Sequence, residues 1–301
     1  MHQRGLKLGI YADFGNLTCE DYPGSIDHLQ QDAKTFAEWN IDMLKVDGCY
    51  CNASLMAKGY PELGQYLNET GRKIVYSCSW PFYEQMHGIP INYTAVAETC
   101  NLWRNFDDIR LTWQSIMSII DYYDKHQDEL AKVNGPGRWN DPDMIIVGNR
   151  EITLDQSRVQ MALWSIWSTP LLMSNDLRFI TPPQKEILQN RKVIAINQDP
   201  LGIMGKKIME KDFVRIYRKP VTPIQKSTQA YSYAFAFFNT HTRNYAVVKV
   251  NQLNEIGLTS ADGYLVEDLF ANRSYGRLYP NSTIYFFVPP TGVVMVKATV
   301  E

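Results

Sequence analysis

The chain has 301 residues, 45% of them apolar, which is enough for one large domain or for one medium and one small one. Its 30 basic and 32 acidic residues leave a net charge of -2, so nothing in the charge favours binding to nucleic acid or to an anionic membrane. No apolar run approaches the ~20 residues that a membrane-spanning helix needs.

Along the chain, short apolar runs alternate with stretches of helical period. The runs lie at residues 6–12, 41–46, 73–78, 101–106, 144–147 and 171–174, and helices are expected at 29–39, 111–133 and 155–168. In the last of these Met161, Leu163, Trp164 and Trp167 recur at helical spacing. Such alternation predicts a parallel sheet with helices packed outside it. Around Asn197-Gln198-Asp199-Pro200-Leu201-Gly202 the pattern changes. Beyond it, apolar residues alternate at 213–217, 231–238, 245–250, 264–269, 283–288 and 293–299. Turn signals at Pro220, Asn239, Asp262-Gly263 and Pro289-Pro290 separate these segments. That pattern predicts a small antiparallel β-sandwich. The domains are therefore expected at 1–202, with the chemistry, and at 203–301, in support of it.

Polar residues gather where the first set of strands should end: Asp13, Asp47, Ser79, Asp108, Asp141, Asp143, Asn175 and Asp176. In (β/α) barrels the active site lies on that face, although doubly wound sheets also bind ligands there. No Gly-rich phosphate loop is present, which argues against a nucleotide. Strand alternation places Lys45, Asp47 and Cys49 on one face, and Arg104, Phe106 and Asp108 on another strand's matching face, with Asp107 turned away. Asp47 and Asp108 are thus two acids with a cation beside each. Two structural ion pairs are the plain alternative. Glycoside hydrolysis needs such a pair, with retention of configuration when they lie ~5–5.5 Å apart. Asp141 and Asp143 share a strand face and offer a second, weaker option, a divalent metal. Zinc at Cys49-Tyr50-Cys51 is disfavoured, since no second ligand pair accompanies it.

Five cysteines and six Asn-x-Ser/Thr sequons, at Asn16, Asn52, Asn68, Asn92, Asn272 and Asn281, favour a secretory route. Met1 runs straight into the first expected strand, so a leader and the true N-terminus are expected to lie outside this sequence. The alternative is a cytosolic chain with chance sequons.

Several ordered segments carry a resemblance to a family. They are Gly9-Ile10-Tyr11-Ala12-Asp13, Leu44-Lys45-Val46-Asp47-Gly48-Cys49-Tyr50-Cys51, Tyr76-Ser77-Cys78-Ser79-Trp80-Pro81 and Cys100-Asn101-Leu102-Trp103-Arg104-Asn105-Phe106-Asp107-Asp108. Gly135-Pro136-Gly137, Trp139-Asn140-Asp141-Pro142-Asp143-Met144, Met173-Ser174-Asn175-Asp176-Leu177-Arg178 and Ile196-Asn197-Gln198-Asp199-Pro200-Leu201-Gly202 continue the series. Together they resemble glycoside hydrolase family 27, the lysosomal α-galactosidases and α-N-acetylgalactosaminidases. The resemblance implies a retaining exo-glycosidase on a (β/α)8 TIM barrel with a C-terminal antiparallel domain. It implies no cofactor and no metal, a lysosomal or secreted location, and a homodimer. Asp47 would be the nucleophile and Asp108 the acid/base. Tyr11, Lys45 and Arg104 fall on sugar-binding positions, as do Cys49, Ser79, Phe82 and Tyr83. The family pairing would join Cys19 to Cys49 and Cys78 to Cys100, leaving Cys51 free, and Asn16, Asn68 and Asn92 match family glycosylation sites.

Within the family, galactosaminidases carry Ser and Ala where galactosidases carry a carboxylate and Leu against the sugar's C2 substituent. Here Ser79 and Tyr83 match the galactosaminidases, but Phe82 stands at the Ala position. The substrate is therefore expected to be a terminal α-linked N-acetylgalactosamine, with α-galactose as the other candidate. Family members begin earlier, with two more strands that grip the 4- and 6-hydroxyls, so about six barrel strands are expected here. An incomplete barrel has two readings: a piece of an active enzyme, or a short sugar-binding or interaction protein without turnover. A metal-dependent barrel enzyme is the third and weakest.

Overall fold

The computed structural model describes residues 1–300. The chain forms two compact units. The first comprises Met1–Asp107 with Gly137–Pro142, and the second begins with Asp108–Pro136 and resumes at Asp143.

The first unit is an open parallel sheet of five strands, in order β1 (Gly9–Asp13), β2 (Met43–Asp47), β3 (Val75–Cys78), β4 (Leu102–Arg104) and β5 (Trp139–Asp141). Helix α1 (Leu29–Glu38) joins β1 to β2, and α2 (Met56–Glu69) joins β2 to β3. Helices α3 (Trp80–Met86) and α4 (Tyr93–Thr99) lie between β3 and β4. The β1–β2 register sets Tyr11 opposite Lys45 and Asp13 opposite Asp47. As an outer strand β1 leaves Tyr11 45% exposed, whereas β4 is buried along its length.

Four of the six expected runs hold these strands, but the fifth differs. The strand is Trp139–Asp141, three residues before the run at 144–147 begins. Pro142 has no N–H to give to a ladder, and Asp143 takes φ 77°, in the left-handed region, so the chain leaves the sheet there. Residues 144–147 and 171–174 form no strands; they meet only in a single parallel bridge, Ile145 to Met173. β4 likewise stops at Arg104. Strand alternation therefore does not extend to Asp107 and Asp108 and does not distinguish the two, which corrects the expectation that parity selects Asp108.

The second unit holds α5 (Trp113–Val133), α6 (Leu154–Ile166), α7 (Pro182–Leu188) and α8 (Arg191–Asn197), followed by strands β6 to β13. A six-stranded antiparallel sheet runs β11 (Arg273–Leu278), β10 (Tyr264–Asp268), β13 (Val293–Val300), β8 (Tyr231–Asn239), β7 (Val214–Ile224) and β6 (Lys206–Lys211). Against it lies a two-stranded sheet of β12 (Ile284–Val288) and β9 (Ala246–Val250). Alternate residues of β12 point inward, so that Phe286 meets Phe237 of β8 with ring centroids 4.3 Å apart. β8 is buried on both faces because α6 covers its other side.

Lys219 of β7 ties the helices to this sheet. It is fully buried, and its ammonium group donates to the carbonyl of Ser165, at 3.0 Å, and to that of Ile196. These carbonyls belong to the last turns of α6 and α8, where no intrahelical donor remains. Neighbouring groups complete the cap. Asn197 donates to Trp164 O at 3.3 Å and to Thr169 O at 2.8 Å, and Gly205 N–H donates to Ile166 O at 2.8 Å. Asp199 accepts from the Thr222 N–H and hydroxyl, both at 2.8 Å, which anchors β7 to the segment where the sequence pattern changed.

Candidate active site

Asp47 ends β2, half-buried on the face where the strands finish. One carboxylate oxygen accepts from the Tyr83 hydroxyl at 3.0 Å and from the Gly48 N–H at 3.1 Å; the other accepts from the Tyr11 hydroxyl at 3.3 Å. Beneath it, the buried Tyr60 of α2 donates to the backbone carbonyl of Asp47 at 2.9 Å, fixing the strand end from which the carboxylate projects. Tyr60 is itself packed against Trp80, ring centroids 6.1 Å apart. The Asp47 carboxylate is thus held on both oxygens, and two of its donors are hydroxyls.

Gly48 makes the Tyr83 contact possible. A Cβ there would lie 2.4 Å from Met56 Cε and 2.8 Å from the Tyr83 ring, so any side chain would push the tyrosine off its carboxylate. The Tyr83 hydroxyl also lies 3.2 Å from Cys49 Sγ. Two disulfides are formed. Cys19–Cys49 clamps the loop after β1 to the loop after β2, and Cys78–Cys100 joins the end of β3 to the segment entering β4. Cys51 is a free, half-buried thiol whose pKa burial pushes up, with a smaller push from Asp13.

The remaining expected residues are placed as follows. Lys45 sits two residues before Asp47 on β2, opposite Tyr11 and Ser77. Ser79 follows β3 directly, buried, as the N-terminal boundary of α3. Phe82 is half-buried, edge-on to Tyr83 at 5.2 Å. Arg104 ends β4, buried, and donates to Phe106 O at 3.1 Å. Asp108 lies beyond the strand in the second unit and is exposed. There the Ile109 N–H donates to Asp143 Oδ2 at 2.8 Å, and the Trp164 indole donates to Asp143 O at 2.8 Å. Asp143 thus braces the segment next to Asp108.

Asp13 was visible in the sequence only as one polar strand end among several. In the structure it is 1% exposed and central. It accepts from the Gly15 N–H at 2.7 Å, the Cys49 N–H at 3.1 Å and the Tyr11 hydroxyl at 3.4 Å, so it orders both the disulfide loop and the tyrosine that touches Asp47. Its place opposite Asp47, two residues after Tyr11, was the available clue. Burial pushes the Asp13 carboxyl up to about 6; the Gly15 and Cys49 N–H groups pull the other way, and the Asp47 charge adds to the rise. Burial and the charges of Asp47 and Asp13 likewise raise the Tyr11 and Tyr83 hydroxyls, with Asp47 second in each case, so both stay protonated as donors.

Asp13, Cys19 and Cys49 are the one cluster of three metal-type ligands among the described residues. Its sulfurs are bonded to each other, leaving no thiolate to ligate an ion.

A pH dependence follows for Asp13. Between the ordinary aspartate value of ~3.9 and its folded value, the native chain binds the extra proton, so stability falls as pH rises through that window. From about pH 4 to about pH 7, the wild type is expected to lose about 2 kcal/mol more unfolding free energy than Asp13→Asn. Urea titrations at the two pH values check this, and parallel curves for both proteins would count against it.

The chain is similar to known proteins along nearly its whole length. The sequence model of the family described as Alpha galactosidase A matches residues 1–199. The alpha-N-acetylgalactosaminidase of Gallus gallus is 48% identical over 299 residues, covering 98% of this chain and 71% of that protein. The alpha-galactosidase A of Homo sapiens is 41% identical over 302 residues, 99% of this chain and 68% of that protein. The crystal structure of alpha-galactosidase I from Mortierella vinacea superposes with a TM-score of 0.86 at 27% identity, over 99% of this chain and 77% of that one. A sheet that ends on Asp47, clamped by Cys19–Cys49, together with these matches along nearly its whole length, shows that the chain belongs to the α-galactosidase A family, glycoside hydrolase family 27.

Proposed function

We propose that the chain is the catalytic part of an exo-acting glycosidase that removes terminal α-linked N-acetylgalactosamine, or galactose, with retention of configuration. The observation that carries this is the Asp47 carboxylate, set at a strand end and gripped by Tyr11 and Tyr83. Both hydroxyls hold it in one orientation without neutralising it, which suits a nucleophile aimed at an anomeric carbon. In the first step Asp47 attacks that carbon while Asp108 protonates the departing glycosidic oxygen. In the second, Asp108 takes a proton from water, which displaces Asp47. Lys45 and Arg104 are proposed to bind hydroxyls of the sugar. The preference for N-acetylgalactosamine rests on Ser79, a small buried residue at the start of α3, and it fits the name of the chicken relative. The location is proposed to be lysosomal or secreted, in keeping with two disulfides and six exposed sequon asparagines.

Cleavage of nitrophenyl α-N-acetylgalactosaminide and nitrophenyl α-galactoside by the purified protein tests the reading. Faster turnover of the first, with an α-configured sugar as first product, is expected. A strong preference for plain galactose would overturn the assignment made from Ser79, and a β-configured first product would overturn the two-step mechanism. A second reading is sugar binding without turnover, in which the exposed Tyr11 hydroxyl beside Asp47 meets the sugar. Saturable binding of α-methyl galactosaminide with no hydrolysis of either substrate would establish it.

The role of Asp108 is tested by leaving-group dependence. Asp108→Asn is expected to slow substrates with poor leaving groups by on the order of 10²–10⁴-fold and activated nitrophenyl glycosides far less. An equal loss on both would remove Asp108 from the acid/base role.

A further inference from the structure

The six-stranded sheet of the second unit ends at β11, and β12 bounds the two-stranded sheet, so the sandwich is open between them. A groove of about 480 Å³ lies along this opening, lined by Tyr275, Leu278, Thr283, Tyr285 and Phe287, with Arg273 at its polar end. That volume falls within the ~300–1,000 Å³ typical of small-ligand clefts. Tyr285 is 48% exposed and Phe287 67%, and Phe287 pairs across the strands with Val247, itself exposed. An apolar aromatic face of this kind calls for a cover.

Two sequons flank the groove, at Asn272 and Asn281. Asn272 has its side-chain oxygen held by the Lys192 ammonium, which also pairs with Glu267. Asn281 differs. It occupies the tip of a tight turn in which Ser282 N–H donates to Tyr279 O at 2.8 Å and Tyr279 N–H donates to Ser282 Oγ at 2.9 Å, with Pro280 fixing the bend. The turn is anchored from outside by Asn254 N–H on Pro280 O, at 3.0 Å. Asn281 is exposed, and its amide makes no hydrogen bond among the described residues. Two residues on, about 7 Å along an extended chain, Thr283 lines the groove wall.

We propose that Asn281 carries an N-linked glycan and that its first sugars pack into the groove between β11 and β12, over Tyr285 and Phe287. The C–H faces of N-acetylglucosamine stack on aromatic rings, and its hydroxyl and amide groups remain in water, as they do at other amphipathic surfaces. Tethering makes a weak contact sufficient, because a sugar attached at the rim meets the groove at millimolar effective concentration. The glycan then acts as a permanent cover for the open sandwich edge. This inference rests on the secretory destination proposed above.

The test is intact mass, before and after peptide N-glycosidase, of the wild type, Asn281→Gln, Asn272→Gln and Thr283→Ser, each secreted from eukaryotic cells. Asn281→Gln is expected to lose one glycan, and Thr283→Ser, which keeps a sequon, to retain it. Glycans on Asn16, Asn68 and Asn92 with a bare Asn281 would overturn the inference and leave the secretory reading standing. A chain with no glycan at any site would overturn both. Packing is read separately by bis-ANS fluorescence. The dye signal is expected to rise in Asn281→Gln and to fall back in Asn281→Gln/Phe287→Ser. A signal that does not change when the glycan is lost would show that the sugars do not cover the groove.

Discussion

Asp47→Asn is expected to lower kcat/KM by on the order of 10⁴-fold or more, about 5.5 kcal/mol of transition-state stabilisation, with the fold intact. Asparagine has the same shape, and its carbonyl oxygen can still accept from Tyr83 and from the Gly48 N–H, so the local hydrogen bonds at 3.0 and 3.1 Å survive in kind. What disappears is the charge and the lone pair that form the covalent bond. Stability therefore separates this loss from misfolding: the thermal midpoint should stay near that of the wild type while turnover vanishes. Asp47→Gly opens a space in which azide can attack the same carbon, and the expected product is a glycosyl azide of inverted configuration. In Asp108→Gly the nucleophile remains, and azide should instead give the retained configuration. Wild-type rates for Asp47→Asn, or the two azide outcomes exchanged, would defeat the assignment of roles.

Much of this site was legible in the sequence because strand ends that carry acids stand out against apolar runs. Asp47 after Leu44-Lys45-Val46 and Asp13 after Ile10-Tyr11-Ala12 lie where alternation placed them. What could not be read is what depends on neighbours. β5 is only three residues long, Trp139–Asp141, and its apolar continuation at 144–147 lies beyond a proline and a left-handed aspartate, so the more hydrophobic stretch drew the assignment. β6 and β11 were missed for a different reason. Lys206–Lys211 and Arg273–Leu278 are outer strands with mostly exposed side chains, and they are strands because β7 and β10 offer them a ladder, not because of any alternation of their own. The donor that Tyr60 supplies to the Asp47 backbone comes from a helix, and Gly48 reveals its purpose only once the Tyr83 ring is seen above it.

Lys219 shows how large an effect can sit where no pattern pointed. The expected run at 213–217 stops short of it and Pro220 reads as a turn, whereas β7 continues through both to Ile224, and the side chain is fully buried and serves the ends of two helices. Lys219→Ala removes the donor from the Ser165 and Ile196 carbonyls and leaves a cavity besides. Ile196 O is then left without its donor, at a cost of about 1–3 kcal/mol, while Ser165 O keeps the Ser168 N–H at 3.3 Å; with the cavity added, a loss of about 3–5 kcal/mol is expected. Lys219→Met fills the volume without supplying the donor and should recover only the cavity's share. Thermal or urea unfolding reads the series, and a methionine variant as stable as wild type would show that the carbonyls find other partners. The charge gives an independent signature. Burial pulls the Lys219 pKa down to about 7, with Asp199 opposing it. An unfolded lysine keeps its proton to ~10.4, so between those values the unfolded chain binds more protons and stability rises with pH. The wild type should therefore gain stability from pH 7 towards pH 10 by a term that Lys219→Met lacks. Equal slopes for the two proteins would mean that the ammonium stays charged in place, held by the two helix ends it caps.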